Sequence, residues 1–180
     1  IFVEPTFNNY FNPVDQEVFL FLDDIKFEGD DIYPFDLNRA TSTLMGRFGN
    51  IMLVNGEENY NLEVNKNDLV RFYLTNSANT RTFNFKIENY KLKLIGSDSG
   101  KFMREEIVDS RVIAPGERYI VEVLFDQDGT FEIENIIPTI KNILGKIQVK
   151  NSINSKKGQF LVLKENEEVK EVKKEVKQEL

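Results

Sequence analysis

Histidine and cysteine are both absent from the 180 residues. Without imidazole or thiolate, the chain cannot assemble a Ser-His-Asp or Cys-His nucleophilic system, a zinc site of the usual composition or a blue-copper centre from its own side chains. No disulfide can form, so the usual clue to redox compartment is missing. Basic residues are in deficit: 23 Lys and Arg stand against 30 Asp and Glu, a formal charge of −7. A phosphate-backbone binder needs a basic face, so nucleic acid is not expected as a partner. No apolar run is long enough for a membrane span, and no basic segment followed by a small-residue cleavage site opens the chain. The start at Ile1-Phe2-Val3-Glu4-Pro5 reads as a piece of something longer.

What is present suffices for one core. Hydrophobic residues make up 41% of the chain, which excludes disorder for most of it. From about Glu17 to Phe160 a strand signal recurs every eight to twelve residues, the spacing of a β-sandwich or barrel of mainly antiparallel strands. Phe83, Phe85 and Ile87 alternate with polar residues, as do Tyr119, Val121, Val123 and Phe125, so each run offers one apolar face. The continuous apolar run Val18 to Leu22 suits a strand covered on both faces and ending at Asp23-Asp24. Asn55-Gly56 fits a hairpin turn that needs positive φ, Pro115-Gly116 fits a type II turn, and Asn76 to Asn79 offers amides that can satisfy backbone groups at a strand end.

Two stretches lack this periodicity. Gly29 to Gly49 reads as a long loop with one helical turn at Leu37 to Leu44, a kind of segment that often serves a partner surface. Glu165 to Leu180 collapses to Glu, Lys, Val and Gln, with Val169, Val172, Val176 and Leu180 at helical spacing. It is expected to be a short amphipathic helix or a solvated linker.

Four motifs in fixed order resemble one family. Gly49-Asn50-Ile51-Met52-Leu53-Val54-Asn55-Gly56, Leu69 to Asn79, Leu94-Ile95-Gly96-Ser97-Asp98-Ser99-Gly100 and Ile113-Ala114-Pro115-Gly116-Glu117-Arg118 together resemble the second cupredoxin domain of three-domain multicopper oxidases, the laccase and cuproxidase group. The resemblance implies an all-β, cupredoxin-like Greek-key sandwich over residues 17–164. An incoming interdomain linker would occupy residues 1–16 and a charged helical tail residues 165–180. It further implies a parent that oxidises phenols, amines or metal ions at a type 1 copper and reduces O₂ to water at a trinuclear cluster. Flanking cupredoxin domains of the same parent would be the partners, in the periplasm or outside the cell, and the piece itself would be a monomer or weak dimer.

Thr130 to Ile147 resembles the last two strands of a cupredoxin, with the intervening loop that in copper-bearing domains carries His-Cys-His and a further His. Here those places fall on Glu134, Asn135, Ile136 and Ile140. Isoleucine cannot ligate copper, and amide or carboxylate cannot replace the thiolate of a blue site. The resemblance therefore implies no metal and no catalytic residue in this piece, with copper confined to the parent's first and third domains.

Asn50 is the candidate substrate-pocket residue, because the family's middle domain can line that pocket and often places an Asp after the glycine. Its ordinary alternative is a turn residue. Asp23, Asp24, Glu28, Asp30 and Asp31 form an acidic run that can attract a hard cation or simply be solvated, and the EF-hand spacing is absent. Met45, Met52 and Met103 are too scattered for a methionine-rich copper patch. Arg118 is read as a salt-bridge former. The alternative from another class is a stand-alone β-sandwich adhesion or ligand-binding module with no enzymatic activity.

Overall fold

In a computed structural model, the described residues are 10–35, 37–98, 100–138, 140–151 and 160–165. Two sheets pack face to face. The larger joins β1 (Gln16–Ile25), β4 (Ile51–Val54), β6 (Leu69–Asn76), β8 (Leu92–Ser97), β9 (Gly100–Val108) and β11 (Arg118–Leu124) in the order β4-β1-β6-β11-β8-β9. The smaller joins β5 (Tyr60–Asn65), β7 (Phe83–Ile87), β10 (Arg111–Ile113), β12 (Gly129–Ile137) and β13 (Ile140–Lys150) in the order β10-β7-β12-β13-β5. A small hairpin, β2 (Phe27–Glu28) with β3 (Asp31–Ile32), and one helix, α1 (Arg39–Met45), complete the described elements. The β1–β6 and β13–β5 pairs are parallel and the rest antiparallel. An all-β sandwich is what the alternation predicts.

The inward faces supply the core. Val18, Leu20 and Leu22 of β1, Phe72 and Leu74 of β6 and Val121 and Val123 of β11 meet Phe83, Phe85, Ile87, Ile133 and Ile147 of the opposite sheet. Burying such side chains contributes roughly 1.5–3 kcal/mol each.

The structure corrects the reading of Val18 to Leu22. Phe19 and Phe21 lie on the outward side of β1, 38% and 51% exposed, so the run is not covered on both faces. Phe19 instead stacks on Tyr73 of the next strand, ring centroids 4.7 Å apart. Nor does the strand stop at Asp23-Asp24. Pairing with β4 carries it to Ile25 opposite Ile51.

The turns follow their chemistry. Asn55 (φ 55°) and Gly56 (φ 81°) form the tight turn after β4, and the Asn55 side chain takes the Phe21 N–H at 2.8 Å and donates to Phe19 O at 2.9 Å. Gly116 (φ 83°) occupies the second central position of a turn closed by Glu117 N donating to Ala114 O. Asn76, fully buried, donates to Arg81 O and Ile113 O and accepts from Ala78 N, so one amide ties three strand ends together. Arg118 pairs with Asp98 at 2.5 Å.

The stretch from Gly29 to Gly49 is less irregular than its sequence suggests. It holds β3, and its helix runs over Arg39–Met45 rather than Leu37 to Leu44. No residue of α1 is buried, which is why its sequence carries no helical apolar stripe. The tail expected to be helical lies outside the described residues except for Glu165, which bridges to Arg104 of β9.

Candidate functional site

The β12–β13 hairpin carries the places that the sequence resemblance sets against a cupredoxin's metal ligands. Its ladder continues, past one shift of register, to Ile137 opposite Ile140, so Glu134, Asn135 and Ile136 stand inside β12 and Ile140 begins β13. Only two residues of the sequence separate the strands. A bulge between Ile133 and Glu134 shifts the register, leaving Ile133 opposite Gly145 and Glu134 opposite Ile143. Gly145 is obligatory at this point, since a Cβ there would stand 2.4 Å from Tyr60 O of β5.

Each place is otherwise engaged or apolar. Asn135, 1% exposed, accepts from Asn84 N at 2.8 Å and donates to the Met52 sulfur at 3.6 Å. Glu134 is buried and takes the Lys141 ammonium at 2.7 Å, with Lys86 at 4.0 Å. Ile140 is exposed to solvent. The donor set of a type 1 copper is thus missing from these places, and their residues do not fit that metal.

Beside the hairpin lies a cluster that the sequence reading missed. Carboxylate oxygens of Glu88, Glu132 and Glu134 lie within 4.8 Å of one another. Lys141 sits 2.7 Å from Glu132 as well as from Glu134, and the hydrogen bonds to Glu132 and then Glu134 hold its ammonium well above the usual lysine range. Glu132 N donates to Glu88 at 3.2 Å. The cation of this cluster is therefore a lysine of the same chain. Its signal was the period-2 placement of Glu132 and Glu134 on one face of a strand.

Asn50 stands where the chain returns from α1. Its Oδ1 accepts from Phe27 N at 2.8 Å and its Nδ2 donates to Phe27 O at 3.0 Å, while its own N–H donates to Ile25 O at 3.0 Å. The side chain is exposed, but both ends of the amide are spent on one residue of β2.

Just before Asn50, a clamp fixes the chain. Asp24, with 1% of its side chain exposed, accepts from Gly49 N at 2.7 Å and from Arg81 Nε at 2.6 Å; Arg81 then donates to Gly49 O at 2.6 Å. A Cβ on Gly49 would lie 2.5 Å from Ile25 N, so only glycine fits beneath Asn50. Asp24 thereby leaves the acidic run, which the structure does not gather into one site. Among the described residues, the carboxylate group with ligand spacing is the Glu88–Glu132–Glu134 cluster instead.

This clamp holds up a strongly apolar projection. Phe35 (80% exposed), Leu44 (83%), Met45 and Phe48 all face solvent. Arg47 lies over the Phe35 ring, 3.9 Å from its centroid, and donates through its backbone to Asn79 Oδ1 and Thr80 Oγ1. Met103 is exposed far along the chain on β9, while Met52 packs against the core, so the three methionines form no patch.

The comparisons with known proteins agree with this architecture. Over 90 residues the chain is 38% identical to the laccase of Bacillus subtilis (strain 168), covering 49% of this chain and 17% of that protein. Its fold is similar to that of CueO, a bacterial laccase-like multicopper oxidase from the lignin-degrading Ochrobactrum sp., with TM-score 0.69 and 27% identity over 81% of this chain and 34% of that one. A multicopper oxidase from Pseudomonas thermotolerans shares the fold at TM-score 0.67 and 21% identity, over 80% of this chain and 35% of that one. The chain thus spans about a third of these solved structures. Family membership gives no support to a stand-alone adhesion module. Residues 25–153, more than half of the chain, match the multicopper oxidase family, and the chain belongs to that family.

Proposed function

We propose that the chain is the middle, copper-free cupredoxin domain of a multicopper oxidase, acting as the spacer that positions the two copper-bearing domains. The observation that carries this reading is the β12–β13 hairpin, where the places that the resemblance sets against copper ligands hold Glu134, Asn135, Ile136 and Ile140, all paired in the ladder. The family's copper chemistry then belongs to flanking domains, where oxidation of a phenol, an amine or a metal ion would feed O₂ reduction. Residues 17–164 would be the domain, residues 1–16 the incoming connection and 165–180 the outgoing one. The isolated domain would be a monomer or weak dimer, and its parent would work in the periplasm or outside the cell, where relatives with this fold are often found.

Asn50 and the projection from Gly29 to Gly49 are assigned to the side facing the third domain and its substrate pocket. Support comes from the apolar surface there and from the Asp24–Arg81 clamp that ties its end at Gly49 to β1. The test is the coding sequence on both sides of residues 1–180. His-x-His pairs upstream and a His-Cys-His cluster downstream are the expected result. A stop codon directly after residue 180, with no cupredoxin domain on either side, would overturn the proposal.

A further inference from the structure

Four charged side chains form a row across the larger sheet. Glu17 of β1 registers with Arg71 of β6, Arg71 with Glu122 of β11, and Glu122 with Lys93 of β8, so the signs alternate strand by strand. Contacts follow the register: Arg71 to Glu17 at 2.7 Å and to Glu122 at 2.7 Å. Lys93 turns the other way, to Glu105 of β9 at 3.0 Å. Lys93 is completely buried, and Arg71 and Glu122 nearly so. Burial works against the Arg71 charge, but the hydrogen bonds and negative charge of Glu122, with smaller contributions from Tyr73 and Glu17, together outweigh it and raise its pKa above the usual arginine value.

Such a row has no obvious place in a sandwich held together by its core. Buried ion pairs contribute little net stability against apolar residues of the same size, and their best-attested use is to fix one arrangement among several. Here the spare hydrogen bonds of the two cations indicate which arrangement. Arg71 donates to the Asn12 carbonyl and lies over the Phe11 ring, 4.9 Å from its centroid. Lys93 donates to the Val162 carbonyl at 2.8 Å. Each cation thus holds the backbone of one terminal segment: Arg71 the segment entering β1, Lys93 the segment arriving after β13.

The two segments are also joined to each other and to the sheet edge. Lys164 Nζ donates to Asn12 Oδ1 at 2.5 Å. Glu105 N donates to Lys164 O at 3.0 Å, Lys164 N donates to the Glu105 carboxylate at 2.8 Å, and Glu165 bridges to Arg104, so residues 164–165 extend the sheet beyond β9. On the incoming side, Asp15 N donates to Leu69 O and Leu69 N to the Asp15 carboxylate, both at 2.9 Å.

We infer that the Glu17–Arg71–Glu122–Lys93 row is a docking site for two segments of its own chain, and that it seats residues 10–15 and 160–165 together as one clasp. The entering and leaving connections are thereby fixed to the same face of one rigid sheet. Resting on the middle-domain reading, the consequence is that this row sets the relative orientation of the flanking domains, which a flexible connection on either side would leave free.

The test needs only the 180-residue chain, so it stands apart from the question of neighbouring domains. Residue-resolved hydrogen exchange is read at Asp15 N for the incoming segment and at Glu105 N for the outgoing one. Asn12→Ala is expected to speed exchange at Glu105, and Lys164→Met at Asp15, each by about fivefold, the scale of one lost hydrogen bond. Lys93→Met is expected to speed both sites by at least as much. Under Asn12→Ala and Lys164→Met, exchange at Phe72 and Val121 in the core should remain at the wild-type rate. The clasp is overturned if each surface substitution loosens only its own segment, or if neither reporter changes.

Discussion

Asn135 donates its side-chain amide to the Met52 sulfur across 3.6 Å, at the place that the sequence resemblance sets against the thiolate of copper-bearing domains. The same amide's oxygen takes the Asn84 N–H at 2.8 Å, so the residue fixes β12 to β7 from inside the sandwich. Asn135→Ala should cost about 1–3 kcal/mol, because the part-buried Asn84 N–H loses its partner. Urea denaturation monitored by circular dichroism measures it. Asn135→Cys should give no intense thiolate-to-copper absorption with Cu(II), since Glu134, Ile136 and Ile140 supply no imidazole.

Arg81→Ala should be the most damaging single change among the charged residues around Asn50. It strands the Asp24 carboxylate, whose side chain is 1% exposed, and frees Gly49 O. Breaking a buried pair in this way costs roughly 3–5 kcal/mol. A double-mutant cycle with Asp24→Asn should recover a large part of that loss. Additive losses from the two substitutions would show that the clamp is not a coupled unit.

Asn50→Asp replaces a donor to Phe27 O with a second acceptor, and should lower stability by about 1 kcal/mol or more above the carboxylate pKa. In a full-length parent, the proposal for this residue predicts a changed KM, or changed pH dependence of KM, for phenols more than for small metal ions. Equal effects on both substrate classes would leave Asn50 as a residue that only ties β2 to the strand after it.

Tyr90 sets an alkaline limit. Burial, assisted by Asp126 and Asp128 and opposed by the hydrogen bond to Gln127, pushes its phenol up from 10.0 to about 12. The folded state therefore favours the protonated form. Its contribution is fully present below pH 10 and is lost as the pH rises through about 12. Tyr60 and Tyr73 shift in the same direction, so Tyr90→Phe should flatten the alkaline fall in melting temperature without abolishing it.

How much of this was legible in the sequence depends on whether the determining partner is local. The strand faces of β7 and β11 were readable because alternation is carried by adjacent residues, and the turns at Asn55-Gly56 and Pro115-Gly116 because φ preference belongs to the residue itself. The outward Phe19 and Phe21 were not, since an unbroken apolar run looks the same whether one face or two are covered. Asp24 read as one of five loop acids because its partner Arg81 lies 57 positions away. The alternating row from Glu17 to Lys93 depends on the register of four strands, and a single-residue slip would dissolve it. The α1 boundary was misread because a helix that buries nothing writes no stripe.

Titration of the purified 180-residue chain with Cu(II) decides whether this multicopper oxidase domain carries copper of its own, which the proposed function denies. Calorimetry combined with visible absorption and electron paramagnetic resonance should show only weak carboxylate binding, with no specific site. A stoichiometric complex of submicromolar affinity, or an intense charge-transfer band in the visible, would contradict the account.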